Sequence, residues 1–262
     1  MEYPKIIAEV KKTIESGYYQ RFAPTKKEKR SLVEEIEKSF IEGKIPLIAE
    51  VLACDEKRLC FSTKNKVLQY LNILDTEKKI NAIDIWVEPR KFSGDLRWLQ
   101  KNFKKIIIAS DYIIDPVQMV GGDAIVLDYG LIEAAKVDLH KLIDYAHEED
   151  FETILKVKEN KEFEEAKKTE TDIIMIENEH GMDSKNTLKI LNKNKTTRPI
   201  IAKNGVNRPE DIRKMIIAGI KGFELGYQYS TSQTKIKEKI KEVEQSIKGT
   251  ENYRYQNIVV VK

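Results

Sequence analysis

Eight short runs of mostly β-branched residues, each closing on a charged or polar side chain, limit what this chain can fold into more than any other feature. They occupy 46–50, 82–88, 106–111, 124–128, 153–156, 172–177, 199–204 and 222–226, and Pro46-Leu-Ile-Ala-Glu50 and Ala124-Ile-Val-Leu-Asp128 are typical. Runs of this kind suit strands buried on both faces, and the amphipathic helical sequence between most of them suits crossovers joining parallel strands. Eight such units predict an α/β fold, a single (β/α)8 TIM barrel, and the 262 residues leave little over once ~250 are assigned to it. Chemistry in these barrels gathers at the carboxyl ends of the strands, so the polar residues that close the runs outline a site.

The 45 residues before the first run carry two helical patterns, giving an expected N-terminal helical extension over 1–45 and a barrel over 46–262. The first, from about Pro4 to Ser16, spaces Ile6, Ile7, Val10 and Ile14 at helical intervals. The second is expected to start near Thr25, with Glu28 completing a capping box, and carries Leu32, Ile36 and Phe40 on one face. This segment is expected to lie across one end of the barrel or beside its first strand. Crossover helices are predicted over 64–74, 95–103, 138–147, 161–168, 184–191 and 208–218, with a short one opening at Asp115-Pro116. A charged helix over 235–248 and an Ile258-Val-Val-Val261 tail close the chain.

Charge narrows the partners. Forty-six basic residues against 43 acidic ones leave a net charge of +3, a mixed surface unlike the basic field that binds nucleic acid. The longest apolar runs fall far short of the ~20 residues a membrane span requires, and Met1-Glu-Tyr-Pro-Lys5 has no apolar core of a secretory signal; a cytoplasmic protein that binds neither nucleic acid nor membrane is expected. Cys54 and Cys60 lack ligand-spaced partners, which disfavours zinc, and no metal or cofactor is expected.

The order of motifs resembles that of the indole-3-glycerol phosphate synthase family over nearly the whole chain. Pro46-Leu-Ile-Ala-Glu50 is similar to its first strand, Phe92-Ser-Gly-Asp-Leu96 to the loop after its second, and Ser110-Asp-Tyr-Ile-Ile-Asp-Pro-Val-Gln118 to its Lys-Asp-Phe-Ile-Ile-Asp-Pro-Tyr-Gln signature. Asn204-Gly-Val-Asn-Arg-Pro-Glu-Asp211 and Gly222-Phe-Glu-Leu-Gly226 are similar to its last two strand ends. In that family a strand-one Glu, a Lys two residues on, a strand-three Lys, a strand-five Glu, a strand-six Asn and a strand-seven Glu-Ser carry binding and ring closure. The resemblance places these roles on Glu50, Leu52, Ser110, Lys156, Glu177 and Lys203-Asn204, so Glu50 alone keeps its type. Losing the strand-three Lys removes the general acid, and a lysine at strand five reverses the charge offered to a substrate. The resemblance therefore implies the fold and a small-metabolite site, but not the family's own reaction.

Within that site Glu50, Lys156, Glu177, Lys203 and Glu224 are the candidate catalytic residues. A lysine beside a second cation has a lowered pKa and can act as imine-forming nucleophile or general base. The alternative is a static network in which Glu50, Glu177 and Glu224 neutralise both lysines. Asn204, Gly205, Gly226 and Tyr227, in the loops after strands seven and eight, are the candidate phosphate cradle, although both glycines also suit plain tight turns. Ser110, Asp128 and His180 are further possible substrate contacts. Two functions remain open: a lyase or synthase for a phosphorylated or otherwise anionic small metabolite, or a non-catalytic barrel that binds a ligand or a protein. Oligomeric state is not fixed by the sequence.

Overall fold

The structure, a computed structural model, describes residues 3–22, 30–52, 64–88, 102–178, 184–230, 232–248 and 250. Strands β1 (Leu47–Val51), β2 (Ala82–Trp86), β3 (Ile106–Ser110), β4 (Ala124–Asp128), β5 (Glu152–Val157), β6 (Ile173–Glu177), β7 (Ile200–Lys203) and β8 (Gly222–Leu225) pair in chain order, all parallel, and β8 closes onto β1. The eight apolar runs thus become the eight staves of a TIM barrel, within a residue or two of their expected ends. Because successive strand residues face opposite sides, each stave feeds two cores. Ile83, Ile85, Ile125, Leu127, Ile174 and Ile176 pack outward beneath the helices. Ile48, Ala82, Ile108, Val126, Ile154, Met175 and Ile201 fill the barrel interior.

The N-terminal segment caps both ends. Helix α1 (Tyr3–Glu15) crosses the carboxyl end of the strands, where Ile6 and Val10 pack with Leu52, Trp86, Tyr112, Ile114 and Leu131. Helix α2 (Leu32–Ile41) plugs the opposite end, burying Leu32 and Ile36 completely against the interior residues of the staves. Full burial of such a side chain contributes roughly 1.5–3 kcal/mol, so the plug is a substantial part of the core. Glu152, at the foot of β5, holds the start of α2 by accepting from Ser31 Oγ, from Leu32 N–H at 2.6 Å and from Val33 N–H at 3.3 Å. The N-cap of this helix is Ser31, which accepts from Glu34 N–H at 3.0 Å; the Thr25–Glu28 capping box lies outside the described residues.

The described helices that follow the strands are α3 (Lys64–Thr76), α4 (Tyr129–Ala135), α5 (Leu139–Glu148), α6 (Asn160–Ala166), α7 (Lys185–Leu191) and α8 (Pro209–Ala218), with α9 (Tyr227–Ser230) and α10 (Gln233–Ile247) after β8. Two of these, α4 and α9, answer to no sequence expectation: each is a single turn or two directly behind a strand. The Asp115-Pro116 start proves to be a 3₁₀ turn, Pro116–Gln118, with Asp115 and Gln118 forming a reciprocal cap. The stretch expected to be helical over 95–103 falls almost wholly outside the described residues, as does the 258–261 tail.

Candidate active site

Period-two alternation on each stave aims Glu50, Asp84, Trp86, Asp128, Lys156, Glu177, Lys203 and Glu224 into the upper barrel, and their contacts resolve into two clusters. The first surrounds Lys203. Its ammonium lies 2.6 Å from Glu50 Oε1, 2.5 Å from Glu224 Oε1 and 3.8 Å from Asp84 Oδ2. Glu50 also accepts from Trp86 Nε1–H at 2.9 Å and from the backbone N–H of Tyr227 at 3.0 Å. Burial alone would raise the Glu50 carboxyl, but the Lys203 ammonium and these donors outweigh it and hold the group at about 2. Burial also works against a charged Lys203, yet the carboxylates of Glu224, Glu50 and Asp84 keep it an ammonium well above its ordinary range. For Asp84 and Glu224 burial wins over Lys203, and both carboxyls are pushed up.

The second cluster sits on β4, β5 and β6. Lys156 pairs with Asp128 at 3.0 Å and Glu177 at 3.6 Å, and Lys158 reaches the same two acids at 3.7 and 3.3 Å. Tyr3 of α1 leans in from above, its hydroxyl donating to Asp128 at 3.4 Å and accepting from Lys158 at 3.4 Å. Against its burial, Asp128 is held at about 2 by Lys156 and Lys158, and Glu177 is lowered mainly by Lys156. Asp128 has a second duty as N-cap of α4, accepting from Leu131 N–H at 3.1 Å. Lys156 is raised, not lowered: Asp128 and Glu177 overcome both its burial and the repulsion of Lys203. The expectation of a depressed lysine pKa fails because each lysine meets carboxylates more closely than it meets the other cation.

The loop after β7 is compact. Asn204 and Gly205 both take positive φ, 62° and 77°, and a Cβ on Gly205 would stand 2.8 Å from Asn178 Nδ2. At Gly226 a Cβ would collide with Asn204 Oδ1, so side-chain amides fill the space that both glycines leave. The Tyr227 amide beside them already serves the Glu50 carboxylate. Ser110 is buried against Asp84, on which it exerts a lowering influence. His180, Cys54 and Cys60 lie outside the described residues.

Sequence reasoning passed over Asp84, Lys158, Trp86 and Tyr3. Asp84 left a signal, a lone acid in the middle of Ala82-Ile-Asp-Ile-Trp86, and Lys158 shares the face of Lys156 by simple alternation. Oxygens of Glu50, Asp84 and Glu224 lie within 4.8 Å of one another, a spacing that could gather a cation, but the Lys203 ammonium stands among them as the internal counter-ion.

Comparison with known sequences agrees with this fold. The profile of indole-3-glycerol phosphate synthase matches residues 2–243. The chain belongs to the indole-3-glycerol phosphate synthase family. Similar members include the indole-3-glycerol phosphate synthases of Staphylococcus aureus strain Newman, 27% identical over 238 residues (81% of this chain, 86% of the relative), and strain JH1, 26% identical over 250 residues (84% and 90%). Among solved structures, the N-acetylmannosamine-6-phosphate 2-epimerase of Clostridium perfringens superposes with a TM-score of 0.58 at 14% identity, covering 83% of this chain and all (100%) of that one. The orotidine 5'-phosphate decarboxylase of Pyrococcus horikoshii OT3 gives 0.55 at 14% identity over 75% and 99%. At such identities the structures attest the barrel fold alone. Measured against the indole-3-glycerol phosphate synthase pattern, the departures at Lys156, Glu177 and Lys203 are the residues that form the two ion clusters. Among the described residues no helix is long and apolar enough to cross a membrane.

Proposed function

We propose that this protein is an enzyme that makes or breaks a carbon–carbon or carbon–nitrogen bond in a small anionic metabolite, phosphorylated in the simplest case, by a reaction other than the family's ring closure. The reading rests on one observation: a charged Glu50–Lys203 pair at 2.6 Å, kept ionised inside the barrel next to Lys156 at the end of β5 and Lys158 just beyond it. A carboxylate held at about 2 stays ionised at neutral pH and becomes an effective proton acceptor only as substrate draws the Lys203 ammonium away from it, while the persistent ammonium is an electrostatic stabiliser already in place. Lys158, a third exposed in its side chain, and Lys156 beneath it offer the anchor for the substrate anion, with Glu177 as partner acid. As ammonium ions held by carboxylates, Lys156 and Lys203 serve better as anchors than as imine formers.

The cradle of Asn204, Gly205, Gly226 and Tyr227 can receive a phosphate only if the anion displaces Glu50 from the Tyr227 amide. The names of the relatives and of the fold neighbours, which refer to phosphorylated metabolites, agree with such a ligand, and the cytoplasm is its proposed place of work. That same Glu50–Tyr227 bond favours the second reading, a non-catalytic barrel whose mouth is satisfied by its own groups. A turnover screen over phosphorylated and carboxylated metabolites decides between them. Turnover that vanishes in Lys203→Met and Lys156→Ala supports the enzyme, whereas unchanged turnover in both variants refutes the roles assigned. No complementation of a tryptophan auxotroph lacking the synthase is expected.

A further inference from the structure

Three carboxyl groups and one ammonium occupy the same enclosed volume. Asp84 and Glu224 have no exposed surface, and Glu50 and Lys203 are 3% and 5% exposed. With every group ionised the four would carry three negative charges and one positive, a net of −2 in the barrel interior. Stripping water from an ion costs several kcal/mol even after relaxation, and only close partners offset it. Those partners are unevenly shared. Glu50 has three, the Lys203 ammonium, the Trp86 indole and the Tyr227 amide. Asp84 has no such set: the Ser110 hydroxyl beside it favours its ionised form, but its cation, Lys203, stands 3.8 Å away.

The surroundings bring no compensating positive charge. From β3 comes the neutral Ser110, from β4 and β6 the apolar Val126 and Met175, and Glu177 on β6 adds a further negative charge facing Lys203. Lys156 on β5 is already engaged by Asp128 and Glu177. The charge deficit therefore falls on Asp84, which has no cation at hydrogen-bond distance, and on Glu224, whose cation Lys203 is shared with Glu50, and their oxygens lie within 4.8 Å of each other.

We propose that Asp84 and Glu224 share a single proton beneath Lys203 at neutral pH, a buried carboxyl dyad that makes Asp84 a positioning residue of the site and leaves Glu50 its one fully ionised acid. Like charges a few ångströms apart cannot both ionise in such a setting, and one retained proton reduces the net charge of the cluster from −2 to −1. The dyad then keeps the Lys203 ammonium directed at Glu50 and stands as a proton reserve below it. That use of the proton rests on the proposed function, but the proton itself belongs to the resting protein, so it can be tested without substrate.

Infrared spectroscopy of the whole protein at neutral pH, compared in light and heavy water, detects the carbonyl stretch of a protonated carboxyl. The expected result is one such buried band in the wild type, lost in both Asp84→Asn and Glu224→Gln, since either variant reaches the same net charge of −1 without the proton. Glu177→Gln, outside the dyad, should retain it. Absence of the band in the wild type overturns the proposal, and that measurement stands even if a variant folds poorly. Persistence of the band in both amide variants overturns it as well, as would a stoichiometric metal ion in the purified protein without any protonated carboxyl. Failure to find turnover would count against the proposed function and leave the dyad untouched.

Discussion

At the scale of single residues, Lys203 decides the state of its neighbours. Replacing it with Met strands Glu50, Asp84 and Glu224 without their cation, and breaking a buried ion pair from one side costs roughly 3–5 kcal/mol. Denaturant titration of Lys203→Met at neutral pH should show a loss of that order. The deficit should narrow on acidification, because the three stranded carboxyls then have raised folded-state values and their burden is relieved by protonation. The wild type should respond in the opposite sense. Glu50 and Asp128 move from ordinary values of 4.5 and 3.8 to about 2 on folding, so the unfolded chain takes up these protons first. Their stabilisation is complete above about pH 4.5 and lost as the pH falls toward 2, which stability measured across that window should show as a steep acid limb. These residues differ in how far sequence exposes them. Glu50, Lys156, Glu177 and Lys203 close their runs and were legible, whereas Asp84 lies mid-strand, where a charged side chain makes sense only once Lys203 from the far side of the sequence stands opposite it.

At the scale of elements, the staves were readable because a strand buried on both faces tends to a near-continuous apolar run, and a polar, helix-rich chain has few others, the Ile258-Val-Val-Val261 tail being one. Helices α4 and α9 were not, since Tyr129-Gly-Leu-Ile-Glu-Ala-Ala135 and Tyr227-Gln-Tyr-Ser230 are too short to show a period, and Asp128, read as a site acid, is also the cap that starts α4. The two terminal helices could be predicted as helices but not assigned to ends of the barrel. Their destinations depend on long-range contacts, Tyr3 with Asp128 and Glu152 with the first amides of α2 among them, and on the packing of Ile6, Val10, Leu32 and Ile36 against barrel residues. Glu152→Ala removes the acceptor for those amides, and leaving a buried donor unsatisfied costs roughly 1–3 kcal/mol. Ile36→Ala empties the plug itself and should cost roughly 2–5 kcal/mol. Thermal or chemical unfolding of the two variants checks both values, and an unchanged midpoint in either would remove α2 from the core.

At the scale of the whole molecule, the barrel interior is closed below by the apolar α2 plug and lined above it by the two ion clusters, beside which α1 packs its own apolar contacts. The two clusters set five carboxyls against three ammoniums, so an anionic ligand is held there by pairing with an individual cation and not by a net positive field, and Lys158 is the most accessible cation of the clusters. Binding by the folded state alone stabilises it by RT ln(1 + [L]/Kd), so a panel of phosphorylated metabolites ranked by thermal shift identifies the best ligand, and Lys158→Met should abolish its shift. The crystal structure of the protein with that ligand tests the account most directly. It should show the anion at the upper rim, against Lys158 and Lys156 and near the Gly205 and Gly226 turns, with the Glu50–Lys203 pair facing the carbon framework. A ligand seated among the outer helices or at the α2 end, with the upper ion clusters undisturbed, would contradict it.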